Sequence, residues 1–151
     1  MVLVALVLIN LIITQKMESE KHNSLVRELA SLFGKNGLNV RAIDSVTTKS
    51  PKVVVNSGGV GDGENKIPDI EAYDERNKRI VRGEAKIGNG DIESEHSITQ
   101  YKLFSSRNSN GVPSLLHIIV PKGNKNHLND IIVHNVSKEH WKNINLIESN
   151  S

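Results

Sequence analysis

The chain contains no cysteine. Disulfide staples and thiolate metal sites are therefore excluded, and the cytoplasm, a reducing compartment, is the expected setting. Aromatic residues make up only 3% of the chain against 37% hydrophobic residues, so the core is expected to be mainly aliphatic. A strong net charge is missing too: +2, with a pI near 8.9, is too mild to imply nucleic acid by itself. No hydrophobic run reaches the roughly 20 residues of a membrane-spanning helix. The longest is residues 2–13, VLVALVLINLII. No Lys or Arg precedes it and no small-residue cleavage pattern follows, so it does not read as a signal peptide. It reads as a core element, an oligomer contact, or an extension ahead of a start at Met17. A membrane anchor is the lesser reading, and a membrane is not an expected partner.

Charged residues make up 24% of the chain, which suits a folded soluble domain. A length of 151 residues allows one core. The expected division is an extension over 1–16, a single domain over 17–147 and an Asn- and Ser-rich tail over 148–151. Charge is unevenly spread: residues 62–95 hold ten of the seventeen Asp and Glu, whereas residues 100–142 hold six Lys and Arg against Asp130 and Glu139. An acidic centre beside a basic stretch suits cation binding next to a phosphate backbone, although chance clustering gives the same pattern.

Leu25, Leu29, Leu32 and Phe33 share one face of an expected helix over 18–36, stopped at Gly37. Residues 38–46 read as a strand, and 53–55 as another or its continuation. Residues 57–65 contain four glycines and read as a mobile surface loop; the phosphate-loop pattern is missing. Residues 67–74 and 79–87 read as a hairpin. A helix follows over 95–107, with Ile98, Tyr101 and Phe104 inward. Residues 115–120 form an apolar strand, 131–136 read as a further strand, and Ser137 would cap a last helix to about Leu146. The order describes an α/β domain with a mixed sheet.

The hairpin carries the chemistry. If its turn centres between Arg76 and Asn77, Asp69 lies directly across from Glu84, with Cβ atoms about 4.5–5.5 Å apart. Two carboxylates so placed repel each other, and a divalent cation between them would remove the conflict. Alternation puts Asp69, Glu71, Tyr73, Arg82, Glu84 and Lys86 on one face. Ile70, Ala72, Val81, Ala85 and Ile87 fall on the other. Asp69 and Glu84 are candidate ligands for Mg²⁺ or Mn²⁺, with the main-chain carbonyl of Ala85 as a third. Lys86 could orient a water, stabilise charge on the phosphate or act as a base.

Pro68-Asp69 followed by Glu84-Ala85-Lys86 resembles the PD-(D/E)xK nuclease superfamily, which includes many restriction enzymes and the archaeal Holliday-junction resolvases. The resemblance implies a restriction endonuclease-like core of helix, three strands, helix and strand over roughly 20–121. It implies a metal-associated Glu on the first helix, with Glu28 the best candidate and Glu20 second. It also implies a site role for Gln100, although Tyr101 follows directly and the Q-x-x-x-Y form is absent. The implied activity is Mg²⁺-dependent endonucleolytic hydrolysis of DNA, with a homodimer as a possible assembly. An inactive nuclease-fold DNA-binding or assembly module is the alternative, and a protein defined by an N-terminal anchor is a third.

Other residues have plainer readings. Glu71 with Arg82, and Asp74 with Arg79, read as cross-strand charge pairs worth little. His96, His117, His127 and His134 match no zinc spacing. Lys49, Lys52, Lys122 and Lys125 could contact DNA phosphates or form a solvated face, and Lys138 and Lys142 read the same way. Trp141 reads as core.

Overall fold

Side-chain alternation on two adjacent strands decides which helix covers which face of the sheet. The computed structural model describes residues 2–44, 46–47 and 49–151. Its central sheet has five strands in the order β1-β2-β3-β6-β7. These are β1 (Asn39–Ile43), β2 (Ile70–Asp74), β3 (Arg79–Ala85), β6 (Leu115–Val120) and β7 (Ile144–Glu148). A small hairpin of β4 (Asn108–Ser109) and β5 (Val112–Pro113) lies apart. The pairs β1–β2 and β2–β3 are antiparallel, whereas β3–β6 and β6–β7 are parallel. The sheet is mixed, as expected. Of the strand expected over 38–46, only Asn39–Ile43 is in the sheet, and its Ser45, like Met1 of the extension, lies outside the described residues. Residues 53–55 contribute one bridge, Val54 to Lys66.

Helix α1 (Val2–Lys35) lies on one face of the sheet. Its Leu25, Val26, Leu29 and Phe33 pack on Ile70, Ala72, Val81, Ala85 and Ile119. This is the apolar face predicted for the hairpin. Helices α2 (Glu95–Ser106) and α3 (Lys125–Asn135) belong to the opposite core. There Tyr101, Leu103, Phe104, Leu128 and Ile132 meet Leu116, Ile118 and Val120. Few as they are, aromatics are buried in both cores: Phe33 under α1, and Tyr101 and Phe104 on the opposite face, are among the largest fully buried side chains. Ser94 caps α2, its side chain accepting from the Ser97 amide at 3.1 Å.

Four expectations are corrected. Residues 2–13 are a continuous part of α1 rather than a core element, and every one of them is exposed. Residues 131–136 lie in α3 and its C-cap instead of a strand. Four of the six residues of IIVHNV are β-branched, but Leu128 and Ile132 stack at i, i+4 on the core, and tertiary packing overrides local propensity. The final helix shrinks to a 3₁₀ turn, Lys138–Asn143, in which Ser137 makes no side-chain cap, and the chain then enters β7. Parallel β6 and β7 require a crossover, and α3 supplies it. The expected tail boundary at 147/148 falls inside β7, and Ser149 is buried. Trp141 packs against the core with its indole N–H donated to the Val136 carbonyl at 2.9 Å.

Helix α1 packs tightly over Gly83. A Cβ there would lie 2.9 Å from Leu29 Cδ2, 3.2 Å from Ile70 Cβ and 3.2 Å from Phe33 Cε2. Gly83→Ala is therefore expected to lower stability by about 1–3 kcal/mol, read as a reduced urea midpoint with an unchanged m-value. An unchanged midpoint would show that α1 is free to shift.

Candidate metal centre

The hairpin register brings the two motif acids together. Observed pairs such as Ile70↔Gly83 and Glu71↔Arg82 have the register expected from the turn, and Asp69 and Glu84 follow directly beyond the Ile70↔Gly83 pair. Their hydrogen bonds cross: the Asp69 amide donates to Glu84 Oε1 at 3.0 Å, and the Ala85 amide donates to Asp69 Oδ2 at 2.9 Å. Lys86 Nζ lies 3.5 Å from Glu84 Oε2 and donates to Gln100 Oε1 on α2. Glu84 is 1% exposed and Lys86 6%. Asp69, Glu84, Lys86 and Gln100 thus form one connected group, with Ala85 between the second acid and the lysine.

Glu28 is not part of it. Its Oε1 accepts from the Ser149 hydroxyl at 3.0 Å and the Asn150 amide at 3.3 Å, on the far side of β6. Glu20 is exposed. The residue that α1 sends to the site is His22, whose Nε2 lies 3.1 Å from Asp69 Oδ2. Sequence reasoning missed it because it sought an acid on that helix. The available signal was position: His22 precedes Leu25, Leu29 and Phe33 along the buried face of α1.

The charges are unequal. Burial opposes ionisation of Asp69, but the hydrogen bond and charge of His22, with the Ala85 amide, outweigh it and hold Asp69 below the usual carboxylate range. Glu84 is pushed well above that range, first by complete burial and then by the Asp69 charge, and Lys86 only partly offsets this. His22 is raised mainly by its bond to Asp69. Without a cation, folding favours the charged form of Asp69 and disfavours that of Glu84. Two carboxylates and an adjacent main-chain carbonyl are the oxygen donors that a hard divalent ion takes. Such an ion would offset the burial and the Asp69 charge that disfavour a charged Glu84, so the residues fit the group.

A second cluster lies at the start of α2. Ligand atoms of Asp62, Glu64 and His96 fall within 4.8 Å of one another. Lys66 Nζ stands among them, 2.6 Å from Asp62, 2.7 Å from His96 Nδ1 and 3.5 Å from Glu64. A buried ammonium thus holds the position a metal would take. The glycine-rich stretch leading to it is strapped rather than loose: Asn56 exchanges hydrogen bonds with Val60, and Asn65 accepts its amide. Gly61 lies so close to α2 that a Cβ would overlap the Thr99 hydroxyl.

Of the basic residues, Lys49, Lys52, Lys122 and Lys125 are exposed. The amide of Lys52 donates to Glu71 at 2.8 Å. Lys122 follows β6 beyond the Val120 end, the end at which the Lys86 amide pairs with Ile119. The other histidines have ordinary partners. His117 stacks edge-on against Phe33 and burial lowers it to about 4, while His127 bonds Glu93 and His134 a main-chain carbonyl. Asp74 pairs with Arg79 at 3.2 Å as expected. Glu71 stands opposite Arg82 in register, but its carboxylate takes the Lys52 amide while the guanidinium lies 6.0 Å over the Phe104 ring. No family model, no curated protein and no solved structure matches this chain.

An acid raised by folding contributes most below its unfolded pKa, and that contribution is lost as pH rises towards its folded value. Removing Glu84's charge should therefore be harmless to the metal-free fold. Glu84→Gln is expected to be at least as stable as the parent at pH 8, with the comparison shifting towards the parent as pH falls to 5. A loss above about 2 kcal/mol at pH 8, well beyond a typical substitution, would instead make Glu84 an ionised partner of Lys86.

Proposed function

We propose that the chain is a metal-dependent endonuclease that hydrolyses DNA phosphodiester bonds on a restriction endonuclease-like core. The observation that carries this reading is the crossed Asp69–Glu84 pair with Lys86 directly beside it. The element order α1-β1-β2-β3-α2-β6 supports it, as does the likeness of Pro68-Asp69 and Glu84-Ala85-Lys86 to the PD-(D/E)xK pattern.

Asp69, Glu84 and the Ala85 carbonyl would hold Mg²⁺ or Mn²⁺. Once bound, the ion would polarise the phosphate and lower the pKa of a bound water. The remaining work falls to the chain's own residues. His22 orients the Asp69 carboxylate and balances its charge. Lys86 presents its ammonium beside Glu84, where negative charge develops on the phosphate, and Gln100 fixes its direction. Burial of Glu84 and Lys86 strengthens these interactions relative to water. Exposed Lys49, Lys52, Lys122 and Lys125 would attract the backbone.

The direct test is cleavage of plasmid, linear duplex, single-stranded and four-way-junction DNA with Mg²⁺, Mn²⁺ or EDTA. Activity is expected with either metal and not with EDTA. Asp69→Ala and Lys86→Ala should each lower it by at least about a hundredfold, and His22→Ala and Gln100→Ala by roughly ten- to a hundredfold. Cutting that survives the first two substitutions would refute this site. Metal-independent DNA binding without cutting would identify an inactive nuclease-fold module.

Metal binding should also release protons, because Glu84 and His22 are both raised in the metal-free state and a cation competes with them. Affinity is then expected to weaken as pH falls through the raised Glu84 value. Calorimetry in two buffers of different ionisation enthalpy would read this as a buffer-dependent binding heat, and identical heats would contradict it.

A further inference from the structure

The first half of α1 stands away from the domain. Its ten large hydrophobic residues between Val2 and Ile13 are all more than half exposed, from 76% at Val2 to 51% at Ile13. The first buried residue of the helix is Leu25, and the most apolar 18-residue window is 0% buried. Apolar side chains occupy every angle of this segment. Leu6, Val7, Leu8 and Ile9 are consecutive, and steps of about 100° carry four such residues around the full circle. A second copy would cover one stripe in a coiled-coil seam and leave the rest in water. Acyl chains would cover all sides at once.

Two further features favour lipid. The Thr14 hydroxyl donates to the Asn10 carbonyl at 2.9 Å, a polar group satisfied within its own helix as a hydrocarbon surrounding demands. Charge also begins abruptly. Residues 2–15 carry none, and then Lys16, Glu18, Glu20 and Lys21 follow, with lysine stems long enough to reach headgroups.

We propose that residues 2–15 embed in a lipid bilayer and hold the α/β domain at its surface. At about 1.5 Å per residue the segment reaches roughly 21 Å, past the midplane of a hydrocarbon core about 30 Å thick. His22 follows Gln15 by about 10 Å of helix, which places the candidate metal centre near the lipid face.

The test is flotation of the full chain with phosphatidylcholine vesicles, with and without phosphatidylglycerol, at low and high salt. The chain is expected to float with both compositions and to resist salt, because acyl contacts rather than charges hold it. Leu8→Lys combined with Ile12→Lys changes two side chains that are 53% and 63% exposed. It should cut flotation at least tenfold while leaving the urea midpoint of the domain unchanged. A parent chain that stays in the aqueous phase, or a double variant that floats equally well, would overturn the proposal. So would a salt-resistant dimer that ignores vesicles, or a cellular product lacking the segment, as a cleaved leader would.

Discussion

Two carboxylates face each other across the β2–β3 hairpin, each held by a main-chain amide from the opposing strand, and the polar half of the fold is arranged around that repulsion. His22 reaches Asp69 from α1 on one side. Lys86 reaches Glu84 from the same strand and is itself held by Gln100 on α2. The acids therefore differ although the hairpin is locally symmetric. Asp69 collects an amide and an imidazole that favour its charged form, whereas Glu84 is buried with a more distant cation and its charged form is disfavoured. Burial raises the energy of an unpaired charge, which is why the second acid of the pair resists ionisation.

Helix α2 serves this arrangement twice. His96 and Gln100 are one turn apart on it, and each holds a buried lysine, Lys66 and Lys86 respectively. Lys66 fastens the glycine-rich stretch to α2, and Lys86 fastens α2 to the end of β3. The cation in the Asp62–Glu64–His96 cluster is thus supplied by the chain itself, and the proposed site for an external cation is the acid pair on the hairpin. Helix α1 is equally double in use, since its second half packs over Gly83 and delivers His22, while its first half makes an apolar rod directed away from the domain.

Much of this was legible because β-strand alternation has a period of two. One assumption about the turn gave the register, the apolar set that meets α1 and the Asp69–Glu84 opposition. The Leu25–Leu29–Phe33 stripe and the 95–107 helix were legible for the same local reason. Missed features had non-local causes. Parallel pairing of β6 with β7 decides that the intervening IIVHNV stretch is helical, and no local pattern reports that pairing. Lys66 meets His96 30 residues on, and Glu28 points to Ser149 instead of the acids. The small hairpin β4–β5 had a readable signal that went unused: Asn110-Gly111, both with positive φ, is the dipeptide of a tight primed turn.

By itself the amino-acid sequence determined the chemistry available: no thiols, an aliphatic interior, two acids and a lysine on one face of a hairpin, and an uncharged apolar start. Those features depend on composition and on neighbours within one or two strands, where geometry follows from residue spacing. Tertiary structure alone decided which distant side chains complete the centre, with His22 included and Glu28 excluded. It also decided that Lys66 fills the second acidic cluster and that residues 2–13 lie outside the core. These outcomes depend on how helices pack across the sheet, and packing is settled by contacts between residues far apart in the chain.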